Sequence, residues 1–145
     1  LAVGYSPIYG DTVGGYAPLK DVEKTLVWEL ARWRNSYAAS RGEVEPIPVS
    51  SIEKAPSAEL RPDQVDQDSL PPYETLDAIL ELYVNHRKSK SEIAELGFDA
   101  DLVEKVLTMV DRAEWKRRQG AIGPKITGMA FGRDRRLPIT NHFMK

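Results

Sequence analysis

The first feature of this sequence that could do chemistry is a lysine that follows a glycine-rich loop. The loop contains Gly10-Asp11 and Gly14-Gly15, and glycines allow backbone N–H groups to approach an anion such as a phosphate. Lys24 falls in the first turn of the helix predicted next, where the helix dipole disfavours a cation unless an anion lies opposite. No P-loop or G-x-G-x-x-G spacing is present. The residues alone leave two interpretations open, an anion site and a turn followed by a solvated lysine.

The second feature is a run of three bases at 116–118, at the far end of a predicted pair of helices over 89–118. Two such helices joined by a short turn could form a helix-turn-helix nucleic-acid module. A DNA-reading helix needs polar and basic residues near its start. The start of the second helix is acidic instead, with Asp99, Asp101 and Glu104. The pattern therefore favours a helical hairpin packed on a core over the nucleic-acid alternative, and a module that only mediates assembly is the other alternative.

Composition excludes several classes of site. The 145 residues contain no cysteine, which rules out disulfides, Cys-ligated zinc and thiol catalysis. The two histidines, His86 and His142, are too far apart for a multi-His metal site. A net charge of −2 does not favour a nucleic-acid or membrane partner, and no apolar run approaches the ~18 residues of a membrane span. A soluble, cytoplasmic protein is expected.

The elements that must position these residues are predicted to be mainly helical, with one or two short strands. We divide the chain into a loop and helix over 1–35, an irregular loop over 36–72, a helical hairpin region over 73–119 and a basic tail over 120–145. In the first segment a short strand is predicted at Tyr16–Leu19, followed by a helix from an Asp21 N-cap to Asn35. The second segment is rich in proline and acidic residues, which predicts a long and mobile loop.

Three helices are predicted in the hairpin region. The first begins after Pro71-Pro72. Ser89 and Glu92 have the spacing of a capping box for the second, which Gly97 should end. Asp99 should cap the third. Its apolar face comprises Leu102, Val103, Val106, Leu107, Val110 and Ala113.

Four blocks of sequence follow one another along nearly the whole chain. The first joins Leu1-Ala-Val-Gly-Tyr5, Tyr9-Gly-Asp11, Gly14-Gly15 and Lys24-Thr25. The others comprise residues 54–80, Arg112-Ala-Glu-Trp-Lys-Arg-Arg-Gln119 and Ala130-Phe-Gly-Arg-Asp-Arg-Arg-Leu-Pro-Ile-Thr-Asn141. In this order they resemble the C-terminal part of the synthetase domain of glutamine-dependent NAD synthetases, which belong to the ATP-pyrophosphatase family.

The resemblance implies a two-step ligation. ATP adenylates the nicotinate carboxylate of deamido-NAD and releases pyrophosphate, and ammonia from a glutaminase domain then displaces AMP to give NAD. It also implies a Rossmann-like α/β domain, Mg²⁺ as a cofactor with ATP, and assembly into a homo-oligomer. The family's Ser-Gly-Gly-x-Asp-Ser loop is not found in these residues, and its magnesium-binding Glu should precede Leu1. The chain is therefore expected to be a fragment, inactive alone, that contributes no catalytic or metal-binding residue.

The same resemblance implies roles for five residues. Lys24 would contact the phosphates of ATP, and Ser57 would place its hydroxyl on ATP from a mobile loop. Lys116 would contact deamido-NAD, and Trp115 stands where the ammonia-dependent branch of the family has a histidine. Asp11, in the Tyr-Gly-Asp turn, is the fifth candidate, also on the side of deamido-NAD.

Overall fold

A computed structural model describes residues 1–7, 10, 13–57 and 61–140 of the chain. These residues form two compact units. One comprises Val22–Asp77, and the other comprises Leu1–Asp21 together with Ala78–Lys145. We call them the inserted unit and the terminal unit. The helices are α1 (Lys24–Ser40), α2 (Val49–Glu53), a 3₁₀ turn (Asp66–Asp68), α3 (Tyr73–Leu80), a π-helical turn (Glu81–Asn85), α4 (Lys90–Glu95), α5 (Ala100–Arg112) and α6 (Glu114–Arg117).

The prediction of a mainly helical chain is confirmed, but the predicted strand is wrong. Within the described residues, β pairing is limited to isolated bridges, Tyr16 with Ile122 and Phe131 with Arg135. Ala17 N–H donates to Ile122 O at 2.7 Å, and the ladder stops there. Pro18 follows directly and has no N–H to continue the pairing.

Helix α1 begins and ends later than predicted. Asp21 is not its N-cap, because the Asp21 carboxylate accepts hydrogen bonds from the backbone of Ile126 and Thr127 instead, both at 2.8 Å. The helix does not end at Asn35, because that side chain is buried and exchanges two hydrogen bonds with the backbone of Ile47. It continues to Ser40, and Gly42 turns the chain away with a φ of 71°.

The segment 36–72 is less irregular than predicted. It contains the last turn of α1, the whole of α2 and the 3₁₀ turn, and Ile52 and Leu70 are buried. The described residues 54–57 and 61–65 lie outside any helix. Residues 41–48 also lie outside any helix, so α2 and the 3₁₀ turn divide the predicted loop into shorter stretches. The mobility of the loop stays a prediction.

Local capping chemistry sets the helices of the terminal unit, as predicted. Ser89 N–H donates to Glu92 Oε2 at 2.8 Å, and Glu92 N–H donates back to Ser89 Oγ at 3.4 Å. Gly97 follows α4 with a φ of 100°, and Asp99 accepts from Leu102 N–H at 2.8 Å. The buried core of this unit includes Ile79, Val84, Ile93, Val103, Val106, Leu107 and Val110. No helix in the part of the chain that the structure describes is long and apolar enough to cross a membrane.

Candidate functional site

Lys24 is the first residue of α1, and its surroundings lie in the inserted unit. Its Nζ sits 5.4 Å from the ring centroid of Trp28, one helical turn further on. The anion opposite the helix N-terminus is the buried carboxylate of Asp77, which accepts a hydrogen bond from Thr25 N–H at 2.9 Å. The helix dipole is therefore compensated within the chain. The Lys24 ammonium rests on an aromatic face and forms no ion pair with the residues that the structure describes.

A line of contacts leads from Trp28 to a buried acid. The rings of Trp28 and Tyr73 meet edge to face, with centroids 5.7 Å apart. The Tyr73 hydroxyl donates a short hydrogen bond to Asp66 Oδ2. Asp66 is 6% exposed, and its other carboxylate oxygen is buried with no hydrogen-bond partner among the described residues. The Tyr73 hydroxyl therefore orients the Asp66 carboxylate.

Ser57 lines an open cleft in the same unit. The Asp66 N–H donates to Pro56 O at 2.9 Å, which anchors the residue directly before Ser57. The cleft has a volume of about 760 Å³, within the usual range for small-molecule sites. Its lining carries two cations, one carboxylate and one hydroxyl: it consists of Lys54, Ala55, Ser57, Arg61, Pro62, Asp63, Gln64 and Val65. Cations and a hydroxyl around a cleft of this size suit a phosphorylated ligand.

Lys116 is half-buried in the terminal unit and is held by the N-terminal segment. Its Nζ donates to Gly4 O at 2.6 Å and to Ser6 O at 3.0 Å, and it lies 5.6 Å from the Trp115 ring centroid. An ammonium has three N–H donors, and two of them have these carbonyl acceptors among the described residues. The structure therefore brings Lys116 and Trp115 together, while Asp11 lies outside the described residues.

Sequence reasoning missed a buried ion cluster next to Lys116. Glu114 and Arg117 are each 3% exposed, and Arg117 Nη2 donates to Glu114 Oε2 at 3.0 Å. Arg118 Nε donates to Glu114 Oε1 at 2.9 Å. The i,i+3 and i,i+4 spacing of these charges was the available signal.

Arg117 also ties separate parts of the terminal unit together. Its Nη1 donates to Ala2 O and to Val110 O, both at 2.6 Å. Its guanidinium lies 4.5 Å from the ring centroid of Phe131. Arg117 is thus a core residue, and the three bases at 116–118 do not form an exposed basic surface.

A second polar cluster joins the π-helical turn, α5 and the tail. Tyr83 Oη donates to the carboxylate of Asp111, with both oxygens at 3.0 Å, and the Arg135 guanidinium lies 4.2 Å from the Tyr83 ring centroid. Burial raises the pKa of Asp111, and the hydrogen bond from Tyr83 and the charge of Arg135 oppose it. Burial and the Asp111 charge raise the pKa of Tyr83.

The ion cluster around Glu114 makes the stability of the chain sensitive to acid. Burial by itself raises the pKa of Glu114, but hydrogen bonds from Arg118 and Arg117 outweigh it and hold the pKa below its usual 4.5. An acid with a lowered folded-state pKa stabilises the fold above its unfolded pKa, and this contribution is lost as the pH falls through the folded value. Asp111 has a raised pKa, so its contribution to stability becomes more favourable as the pH falls.

We therefore expect the free energy of unfolding of Glu114→Gln to fall less than that of the wild type as the solution is made acidic. Urea unfolding of the 145-residue chain between about pH 6 and pH 3 measures this pH dependence. The wild type should lose stability below pH 4.5, the usual pKa of Glu114, and the variant should lose less over the same interval. Glu95→Gln is the control, because Glu95 is an exposed acid of α4. An equal loss of stability in the wild type and in Glu114→Gln over this pH interval would contradict the prediction.

The residues that the structure describes contain no group of three or more His, Cys, Asp or Glu side chains able to hold a metal ion. The Mg²⁺ that the resemblance implies has no set of ligands in this part of the chain.

The NAD synthase family model matches residues 1–120. The chain belongs to the NAD synthase family. It is 58% identical over 141 residues to the glutamine-dependent NAD(+) synthetase of Acinetobacter baylyi, covering 97% of this chain and 25% of that enzyme. It is 54% identical over 144 residues to the corresponding Aquifex aeolicus enzyme, covering 99% of this chain and 24% of that enzyme.

A solved structure is also similar to this NAD synthase family chain. The glutamine-dependent NAD+ synthetase of Acinetobacter baumannii, in complex with adenosine diphosphate, is 48% identical, with a TM-score of 0.49. The match covers 97% of this chain and 23% of that one. The chain therefore spans about a quarter of the length of the relatives it matches.

Proposed function

We propose that this chain is part of the synthetase domain of a glutamine-dependent NAD synthetase, which amidates deamido-NAD to NAD at the expense of ATP. The observation that carries the proposal is the 58% identity to such an enzyme over 97% of the chain. The proposal extends to a Rossmann-like α/β domain completed by further sequence, to a glutaminase domain that supplies ammonia, and to a homo-oligomer. Mg²⁺ would neutralise phosphate charge when bound with ATP.

Lys24 and Ser57 are the proposed ATP-contacting residues. A cation–π contact such as that of Lys24 with Trp28 is worth about 0.5–1 kcal/mol at exposed sites. A hydrogen bond to a charged group is worth about 1.5–3 kcal/mol. A phosphate oxygen can therefore bind the ammonium more strongly than the indole alone does. The Ser57 hydroxyl and the cations of its cleft offer further donors to the same triphosphate.

Lys116 is the proposed contact for deamido-NAD, with Trp115 beside it and Asp11 as a further candidate. Because two carbonyl oxygens fix the Lys116 ammonium, its remaining N–H points in a defined direction. A cation held in this way can bind a carboxylate or phosphate of the substrate without first losing side-chain freedom.

The nucleic-acid-binding alternative is not favoured. Arg117 is buried, and Lys116 and Arg118 donate hydrogen bonds within the chain. Salt-dependent DNA binding requires several exposed bases that can contact phosphates. The helix-turn-helix pattern is therefore better explained as the packed pair α4 and α5.

The proposal is tested by exchanging the matching quarter of the Acinetobacter baylyi enzyme for this chain. The identity between the two segments should allow the chimera to fold. Pyrophosphate release and NAD formation are measured with ATP, deamido-NAD and either ammonia or glutamine. We expect both products in equal amounts. A folded chimera that forms neither would overturn the proposed function.

In this chimera, Lys116→Met should raise the KM for deamido-NAD more than tenfold and leave the KM for ATP within about twofold. Loss of one charged hydrogen-bond donor costs about 1.5–3 kcal/mol of binding, which corresponds to about 10- to 100-fold. Lys90→Met is the control, since Lys90 lies on the surface in an ion pair with Glu104. A Lys116→Met chimera with an unchanged KM for deamido-NAD would remove this residue from the site.

A further inference from the structure

The inserted unit contains a line of contacts that runs from Lys24 to Pro56, the residue before Ser57. It starts at Lys24, whose ammonium lies over Trp28, and continues from Trp28 to Tyr73. The Tyr73 hydroxyl donates to the carboxylate of Asp66, and Asp66 N–H donates to the carbonyl of the residue before Ser57. These contacts join residues from α1, α3, the 3₁₀ turn and the loop.

From this geometry we propose that Tyr73 and Asp66 are positioning residues for ATP, which fix Ser57 relative to Lys24. This inference rests on the proposed function. Neither residue lines the cleft, so neither needs to contact the nucleotide. They act through the residues to which they are bonded.

The chemistry of Asp66 supports a positioning role. The residue is 6% exposed, and one of its carboxylate oxygens has no hydrogen-bond partner within the described ranges. A buried carboxylate with a single side-chain donor depends strongly on that donor. Removing the Tyr73 hydroxyl would leave the Asp66 carboxylate without the bond that orients it, in the residue whose backbone N–H donates to Pro56 O.

Trp28 connects Tyr73 to Lys24. Its indole meets Tyr73 with one part of its surface and the Lys24 ammonium with another. Movement of the Tyr73 ring therefore alters the support on which the ammonium rests. The correct separation of Lys24 and Ser57 matters for ATP because both would contact one triphosphate, and misplacement by about 1 Å can cost about 10²-fold in rate.

The test uses Tyr73→Phe in the chimera described above. This variant keeps the ring that meets Trp28 and removes the hydroxyl that donates to Asp66. We expect the KM for ATP to rise at least fivefold, while the KM for deamido-NAD stays within twofold. A KM does not depend on the fraction of enzyme that folds, so partial loss of folded protein does not obscure the result. Asp66→Asn, which retains acceptor oxygen and backbone N–H, should give a smaller rise in the same constant.

A double-mutant cycle with Ser57→Ala separates positioning from a general loss of structure. If Tyr73 acts through Ser57, Tyr73→Phe should raise the KM for ATP much less in the Ser57→Ala background than in the parent chimera. Tyr37→Phe is the matched control, because Tyr37 is an exposed tyrosine of α1 whose hydroxyl meets only Arg41 among the described residues. It should change neither KM.

The outcomes are distinct. A selective rise in the KM for ATP that is not additive with Ser57→Ala supports the inference. An unchanged KM for ATP, an equal rise in both KM values, or full additivity overturns it. An inactive parent chimera contradicts the proposed function instead, so the two failures can be told apart.

Discussion

Lys24→Ala is expected to lower the rate of pyrophosphate release by the chimera about 10²–10³-fold, the typical cost of removing one preorganised group that stabilises developing charge. Adenylation makes the pyrophosphate leave with additional negative charge, and the Lys24 ammonium would lie beside it. The ammonium is already positioned by the first turn of α1 and the face of Trp28. The measurement is pyrophosphate release at saturating ATP and deamido-NAD.

Two further variants test whether the loss of rate comes from the positive charge at position 24. Lys24→Arg keeps a cation at the same place on α1 and should recover part of the rate, because a planar guanidinium can still donate to phosphate. Lys90→Ala removes a surface lysine that pairs with Glu104 and should leave the rate within about twofold. If Lys24→Ala released pyrophosphate as fast as Lys90→Ala, the assignment of Lys24 to ATP would be wrong.

Glu114→Ala is expected to destabilise the 145-residue chain by about 3–5 kcal/mol, the usual cost of breaking a buried ion pair by removing one partner. The variant leaves the buried guanidinium of Arg117 without its only anionic hydrogen-bond partner in the described part of the chain. It also frees Arg118 from the hydrogen bond to Glu114 Oε1. Urea unfolding at pH 7, followed by circular dichroism, measures the change.

The matched control is Glu104→Ala, on the neighbouring helix α5. Glu104 also pairs with a cation, Lys90, at 2.7 Å, but both side chains are about half exposed. Water already solvates these charges, so the unfolding midpoint should not change measurably. Similar losses in the two variants would show that burial of the Glu114 cluster is not what makes it important.

Sequence analysis identified the parts of the fold whose causes are local. The caps of α4 and α5 were predicted correctly from Ser89, Glu92 and Asp99, because each capping bond joins residues three positions apart. Family membership was also readable, since the order of four sequence blocks carries it. The assignments of Lys24, Ser57, Lys116, Trp115 and Asp11 to ligands came from the same resemblance, and they stay predictions.

The bounds of α1 could not be predicted from neighbouring residues alone. Asp21 has the residue type of an N-cap and Asn35 that of a helix end. Instead, Asp21 accepts a hydrogen bond from the backbone N–H of Thr127, and Asn35 donates one to the backbone carbonyl of Ile47. A side chain of this kind bonds to whichever backbone groups the fold brings to it, so its type alone does not determine its role.

The sequence by itself determined the helical character of the chain, the caps of the hairpin and the family. Only the tertiary structure decided which charges are buried and which groups bind them. Asp77 accepts a hydrogen bond from Thr25 at the start of α1, Asp66 accepts one from Tyr73, and Arg117 donates one to the carbonyl of Ala2. The partners Asp77 and Thr25 are 52 positions apart, and Arg117 and Ala2 are 115 apart. Periodicity reports on neighbours within a few residues, whereas burial and pairing over such separations arise when the whole chain packs.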